Sequence, residues 1–170
     1  MKDDMIHSEA AHEERLDSRS DYRLLHSQLE ELLKEETFYV SAMSNASALL
    51  MESLPDLNWA GFYLMKDAQL VVGPFQGRPA CIHIPLGKGV CGHAAEKDQT
   101  TVVPDVHSFP GHIACDSASR SEIVIPLHDP REHVTAVLDI DSPVPDRFSR
   151  EDREGLETFA AILEQRIRFR

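Results

Sequence analysis

Cys81, Cys91 and Cys115 are the three cysteines of this 170-residue chain, and thiols are the side chains best suited to redox chemistry. An odd number of cysteines does not close into a disulfide framework, so reactive or simply buried thiols are expected. Only a thiolate attacks, and an ordinary thiol is mostly protonated at neutral pH, so a reactive cysteine needs a local field. Cys91 follows Gly87-Lys88-Gly89-Val90 and is expected in the first turn of a helix, where partial positive charge and unpaired N–H groups favour the thiolate. Cys115 stands in a polar stretch beside Asp116 and Ser117. Cys81 opens the apolar run CIHIP, where filling the core is the competing role.

A second group is acidic. Asp139 and Asp141, in LDID, are two apart and so point to one face of a strand, and Glu122 begins another strand. Such carboxyls are either a solvated sheet end or a pocket floor. A pocket floor of this kind suits a metal, a substrate ammonium, or a carboxyl kept protonated by its neighbours. In NWAGFYL, Trp59, Gly61 and Tyr63 share one strand face, while Ala60, Phe62 and Leu64 share the other. Trp59 and Tyr63 are expected to form an apolar pocket wall with polar handles, with Phe62 in the core. Zinc ligation by Cys81-x-His83 and Cys91-x-His93, completed by His112 or Cys115, is disfavoured, because paired zinc ligands are usually further apart. No bound metal is expected. Gly87-Lys88-Gly89 lacks the upstream glycine and following Ser/Thr of a phosphate loop.

The elements that must position these residues follow from periodicity. Leu24, Leu25, Leu29, Leu32 and Leu33 fall at helical spacing over 21–34, with Ser20 or Asp21 as cap. A second helix is expected over 36–53, with Phe38, Met43, Ala46, Leu49 and Leu50 on one side and Pro55-Asp56 beyond its end. Apolar and β-branched runs predict strands at 58–65, 70–75, 80–85, 101–103, 122–127 and 133–140. Lys66-Asp67 and Asp129-Pro130 read as hairpin turns, which makes most pairing antiparallel. A short helix is expected at 89–97 and a long loop over 104–120, with a turn near Ala114. Ser149 with Asp152 resembles a capping box and opens a closing helix over 149–168, with Leu156, Phe159, Ala160 and Leu163 as its apolar stripe. Helices, then strands, then a helix describe an α+β domain over 21–170. Its mainly antiparallel sheet has the N- and C-terminal helices on one side and a ligand pocket on the other. Residues 1–20 read as a flexible polar tail.

Bulk properties narrow the function classes. The formal net charge of −12 argues against nucleic-acid binding and against an anionic membrane surface. No stretch has the length and apolarity of a membrane span, and the first twenty residues lack the apolar core of a signal peptide. A cytoplasmic location is therefore expected.

NWAGFYL, GPFQGRPAC, IPLGKGVCG, DVHSFPGHIACD, SASRSEIVIPL and VLDIDSP, in that order, resemble the free methionine-(R)-sulfoxide reductases, which are single GAF-domain enzymes. The resemblance spans roughly residues 37 to 163. It implies that Cys115 attacks the sulfoxide sulfur and that Cys81 and Cys91 resolve the oxidised intermediate, in an order that it leaves open. It implies that Trp59 and Tyr63 hold the thioether methyl region, and that Glu122, Asp139 and Asp141 contact the substrate's amino group and sulfoxide. It further implies no bound cofactor, recycling by thioredoxin, and a homodimer. Closure of the 104–115 loop over the resolving cysteine is then required, because a disulfide needs Cα atoms within about 7 Å. Two departures stand out. Thr135-Ala136 replaces an expected glycine, after a slightly longer HDPREH hairpin, and His93 stands where a small or hydroxyl residue is expected. The first bears on strand packing and the second on Cys91 reactivity. The alternative function is a non-catalytic GAF module that senses a small molecule. It is disfavoured by the expectation that the chain leaves no room for an output domain.

Overall fold

The computed structural model describes residues 21–169; the expected flexible tail and the Ser20 cap alternative lie outside the described residues. In chain order the elements are α1 (Tyr22–Leu32), α2 (Tyr39–Ser53), β1 (Trp59–Lys66), β2 (Gln69–Gly77), β3 (His83–Pro85), α3 (Gly89–Lys97), β4 (Thr101–Val103), a single 3₁₀ turn (Val106–Ser108), β5 (Ser121–His128), β6 (Val134–Ser142) and α4 (Arg150–Arg166). The strands form one six-stranded sheet in the order β3-β2-β1-β6-β5-β4, antiparallel throughout. This is the α+β, GAF-like architecture expected from the sequence.

The pleat divides the sheet into two apolar layers. Ala60, Phe62, Ile123, Ile125, Leu138 and Ile140 turn to one face and pack with α1, α2 and α4. Trp59, Tyr63, Val124 and Val137 turn to the other, with Val90, Cys91, Ala94 and Ala95 of α3. The terminal helices thus share one side as expected, while the short α3 covers the opposite side and helps to build the cavity there. Ala136, at the expected glycine position, is fully buried between Leu64 of β1 and Leu127 of β5, so its methyl group joins the core.

Several local expectations are corrected. Leu25, Leu29 and Leu33 are buried, but Leu24 and Leu32 are 55% and 45% exposed. The buried set is a single i, i+4 row, and the residue on either side of it lies about 100° around the helix. Asp21 is the cap, accepting from the Leu24 N–H. Helix α2 starts at Tyr39 because the Glu36 carboxylate captures the Phe38 N–H at 2.7 Å. Phe38 therefore stays outside the helix, 54% exposed, and forms a bridge with Arg168. That bridge also holds Arg168 outside α4, whose capping box of Ser149 and Asp152 forms as expected. The first hairpin turns on Asp67-Ala68, one residue later than expected, with both residues at positive φ (51° and 59°) as a two-residue hairpin requires. Strand β3 begins at His83, so Cys81 does not open a strand. The chain comes alongside β2 only from Ile82, whose carbonyl accepts from the Val72 N–H, while Cys81 just before it is bonded to Cys115. A turn does form at Ala114, where the Cys115 N–H donates to the Ile113 carbonyl at 3.0 Å, and the loop also holds an unexpected 3₁₀ turn at Val106–Ser108, capped by Asp105.

Gly61 permits the closest approach in the sheet. Pairing of β1 with β2 shifts register between Gly61 and Tyr63, and a Cβ on Gly61 would lie 2.7 Å from the Phe75 Cα and 2.9 Å from the Pro74 carbonyl. Phe75 takes this space and stacks on Trp59, with centroids 5.0 Å apart. Gly61→Ala is expected to lower stability by about 1–3 kcal/mol in urea denaturation, because overpacking must push backbone rather than a flexible side-chain end. An unchanged midpoint would mean that β2 yields without cost.

Candidate active site

One cavity opens on the α3 side of the sheet. It has an empty volume of about 510 Å³, part of it open to solvent, and it gathers Trp59, Tyr63, Cys91, Cys115, Glu122, Asp139 and Asp141. These are seven of the residues singled out in the sequence. The eighth, Cys81, is joined to Cys115 by a disulfide with a Cα–Cα separation of 5.3 Å. The long loop is therefore closed against the segment before β3, as the chemistry requires.

The floor is built by register. Glu122 on β5 lies directly opposite Asp141 on β6, and Asp139 lies opposite Val124 and Gly61. Because Asp139 and Asp141 are two apart, the pleat that sends Leu138 and Ile140 into the helical core sends both acids into the cavity. One wall is aromatic. Trp59 and Tyr63 stack at 5.8 Å, and the Trp59 indole N–H donates to the Arg78 carbonyl at 3.2 Å. Cys91 closes the third side from α3, its sulfur 3.8 Å from Glu122 Oε1. The loop carrying Cys115 is tied to the start of β1: the Asn58 side-chain amide donates to Asp116 and to Ser119, both at 3.0 Å. His93 meets Phe109 of the same loop edge-on, at 5.7 Å between centroids.

Electrostatics correct one expectation outright. Cys91 does sit in the first turn of α3, yet its thiol is pushed well above its ordinary range. Burial is the main cause, followed by Asp139, Glu122 and Asp141, and these outweigh the helix N-terminus. The acid face thus presses on Cys91. Burial likewise pushes Asp139 up to about 6. Burial holds Glu122 and Asp141 well above the usual carboxylate range, with Asp139 the leading neighbouring charge on each. The Tyr63 phenol is raised by burial and then by Asp139. Among the described residues, three buried oxygens, Oδ1 of Asn58, of Asp139 and of Asp141, have no hydrogen-bond partner. Buried polar atoms are normally paired, so this face is built to meet a donor.

A GAF domain model matches residues 28–167. The free methionine-R-sulfoxide reductase of Escherichia coli is 53% identical over 134 residues, covering 79% of this chain and 81% of that protein. The chain belongs to the free methionine-R-sulfoxide reductase family. The reduced form of fRMsr from Staphylococcus aureus superposes with a TM-score of 0.85 at 49% identity, covering 87% of this chain and 96% of that one. The free methionine-R-sulfoxide reductase from Neisseria meningitidis, solved in complex with its substrate, gives 0.82 at 44% identity, covering 85% and 87%.

Within this free methionine-R-sulfoxide reductase fold, sequence reasoning missed Asn58, Ser119 and Lys88 and considered only a zinc role for His112. The last three line the cavity, and Asn58 anchors the loop. Asn58 and Ser119 lie inside the quoted motifs NWAGFYL and SASRSE, but their mutual hydrogen bond is a tertiary fact. Burial pulls the His112 imidazole below its ordinary range, with His107 adding to the effect. Among the described residues, the Cys-x-His pairs do not assemble a metal cluster; the ligand atoms that converge belong to Cys91, Glu122 and Asp139.

Raised carboxyls link this face to pH. The folded chain holds protons that the unfolded chain releases near its ordinary carboxylate pKa, so this contribution is full below that pKa and is lost as pH rises through the raised values. The melting temperature is expected to fall from about pH 5 to about pH 8. The fall should be shallower in a Glu122→Gln, Asp141→Asn double variant, which calorimetry can follow. Parallel profiles would show that the acids do not couple to folding.

Proposed function

We propose that the protein is an oxidoreductase that reduces free L-methionine (R)-S-oxide to L-methionine. The observation that carries this reading is the Cys81–Cys115 disulfide beside a cavity whose floor is Glu122, Asp139 and Asp141. The identity with named reductases, one of them solved with its substrate, supports the substrate class.

In this reading the Cys115 thiolate attacks the sulfoxide sulfur. Oxygen passes to Cys115 as a sulfenic acid and the thioether leaves as methionine. The carboxyls of the floor supply the proton that the leaving oxygen needs, and they titrate as a unit. The Cys81 thiol then attacks the sulfenic sulfur, expelling water and forming the disulfide. Of the two resolving cysteines that the sequence left open, Cys81 is thereby favoured. Cys91, buried against Glu122, is assigned to the acid face instead. A dithiol must exchange with the Cys81–Cys115 bond to complete the cycle. Thioredoxin is the proposed donor, with no bound cofactor, and such cycling suits the reducing cytoplasm. A homodimer is proposed as well, consistent with the exposed Leu24 and Leu32 on α1. No described helix is long and apolar enough to cross a membrane.

Recognition of the free amino acid is assigned to its ammonium, which the unpaired oxygens of Asp139 and Asp141 can accept. Trp59 and Tyr63 would hold the methyl-sulfur end, and Lys88 is the cation at the cavity lining for the carboxylate. The ammonium also relieves the like-charge repulsion of the floor. A GAF pocket that only senses a ligand has no use for the disulfide, so the sensory alternative is not favoured.

Thioredoxin-coupled NADPH consumption with each epimer tests the assignment. Cys115→Ser is expected to lower turnover at least about a thousandfold with any reductant. Cys81→Ser should still yield one equivalent of methionine in a single turnover but lose multiple turnover. An N-acetylated sulfoxide should react about ten- to a hundredfold more slowly than the free amino acid, since it brings no charged donor. Equal rates on the two substrates would refute the ammonium reading, and full activity in Cys115→Ser would refute the nucleophile.

A further inference from the structure

We infer that Cys91, Glu122 and Asp139 form a site for a thiophilic divalent cation, with zinc or cadmium as the chemical type. One ligand atom from each lies within 4.8 Å of the other two. All three side chains are buried, at 4%, 6% and 5% exposure. The second observation is independent of that clustering: among the described residues none offers a hydrogen bond to the buried Asp139 Oδ1, and Asp139 lines the cavity. The site differs from the Cys-x-His pairing that the sequence disfavoured, because it draws one ligand each from α3, β5 and β6.

The chemistry of the set selects the ion. One thiolate and two carboxylates give three protein ligands and leave a fourth position open toward the cavity, the usual arrangement of an accessible tetrahedral zinc site. The sulfur favours zinc and cadmium over magnesium and calcium, which prefer all-oxygen shells. Binding displaces the proton of Cys91, and of whichever carboxyls carry one, to solvent, so charge is balanced by a cation instead of by protons. The framework is rigid, since Glu122 and Asp139 are fixed by adjacent strands and Cys91 by a helix packed on them. A cation held there would occupy the face proposed to receive the substrate ammonium and would therefore inhibit turnover. That consequence rests on the proposed role of the acids; the site itself does not.

The natural protein allows a clean measurement. With Cys81 and Cys115 joined, Cys91 is the sole remaining thiol in a chain of three cysteines. Cadmium titrated into the oxidised protein is expected to produce the ultraviolet cadmium–thiolate charge-transfer band at one equivalent, and magnesium should produce none. Cys91→Ser should abolish the band. Glu122→Gln and Asp139→Asn should each weaken cadmium binding about tenfold or more while keeping a band, a pattern that misfolding of one variant cannot imitate. Absence of a band in the oxidised wild type would overturn the site, as would binding indifferent to both carboxyl substitutions. Zinc inhibition competitive with free methionine sulfoxide is expected in parallel. A cadmium band without such competition would leave the site standing and count against the ammonium reading alone.

Discussion

The alternation of β6 is the constraint on which the rest of the structure depends. This strand lies inside the sheet, paired on one side with β1 and on the other with β5. Leu138 and Ile140 face the helices α1, α2 and α4, while Asp139 and Asp141 face the cavity. A slip of one residue would bury both carboxylates in the apolar core and expose two apolar residues to the pocket. The register is therefore locked by the hydrophobic layer, and that lock holds two acids in a place where their own hydration would not put them. Burying carboxyls is unfavourable, and the structure tolerates it because protons can neutralise them.

The other site residues take their places from this strand. Trp59 and Gly61 on β1 pair with Asp141 and Asp139, and Glu122 on β5 pairs with Asp141. Gly61, lacking a side chain, lets Phe75 reach over to stack on Trp59, which fixes the aromatic wall. Helix α3 delivers Cys91 onto the acid face, and the loop of residues 104–120 delivers Cys115 to Cys81. The loop is tethered at its far end by Asn58 through Asp116 and Ser119, just beyond Cys115. A sheet floor and a tethered loop divide the construction: the floor is set by sheet register, and the Cys81–Cys115 pair is set by irregular segments outside it.

The three thiols consequently live in different fields, although the sequence presents them as one group. Cys81 and Cys115 belong to irregular segments and meet covalently. Cys91 belongs to a helix start, where a thiolate would ordinarily be favoured, yet its surroundings drive the proton on. Local position suggested one sign and burial beside carboxyls imposed the other, because desolvation and near charges are larger than the partial charge of a nine-residue helix.

Much of this was legible from the chain alone. Periodicity located each strand and helix to within a few residues, since apolar spacing is a local record of which face will be buried. The two-residue spacing of Asp139 and Asp141, and the split of NWAGFYL into two faces, followed from the pleat and hold in the structure. The ends of elements did not. Phe38 leaves α2 because of Glu36 and Arg168, and Cys81 leaves β3 because of Cys115, and each partner is supplied by a hydrogen bond, bridge or covalent bond that spacing does not encode. The burial of Glu122 opposite Asp141, the choice of Cys81 as the partner of Cys115, and the raised thiol of Cys91 were decided only by tertiary structure. Residue types and spacing determine which groups can do chemistry and which face they share; pairing, pKa and covalent partner depend on what the fold brings within a few ångströms.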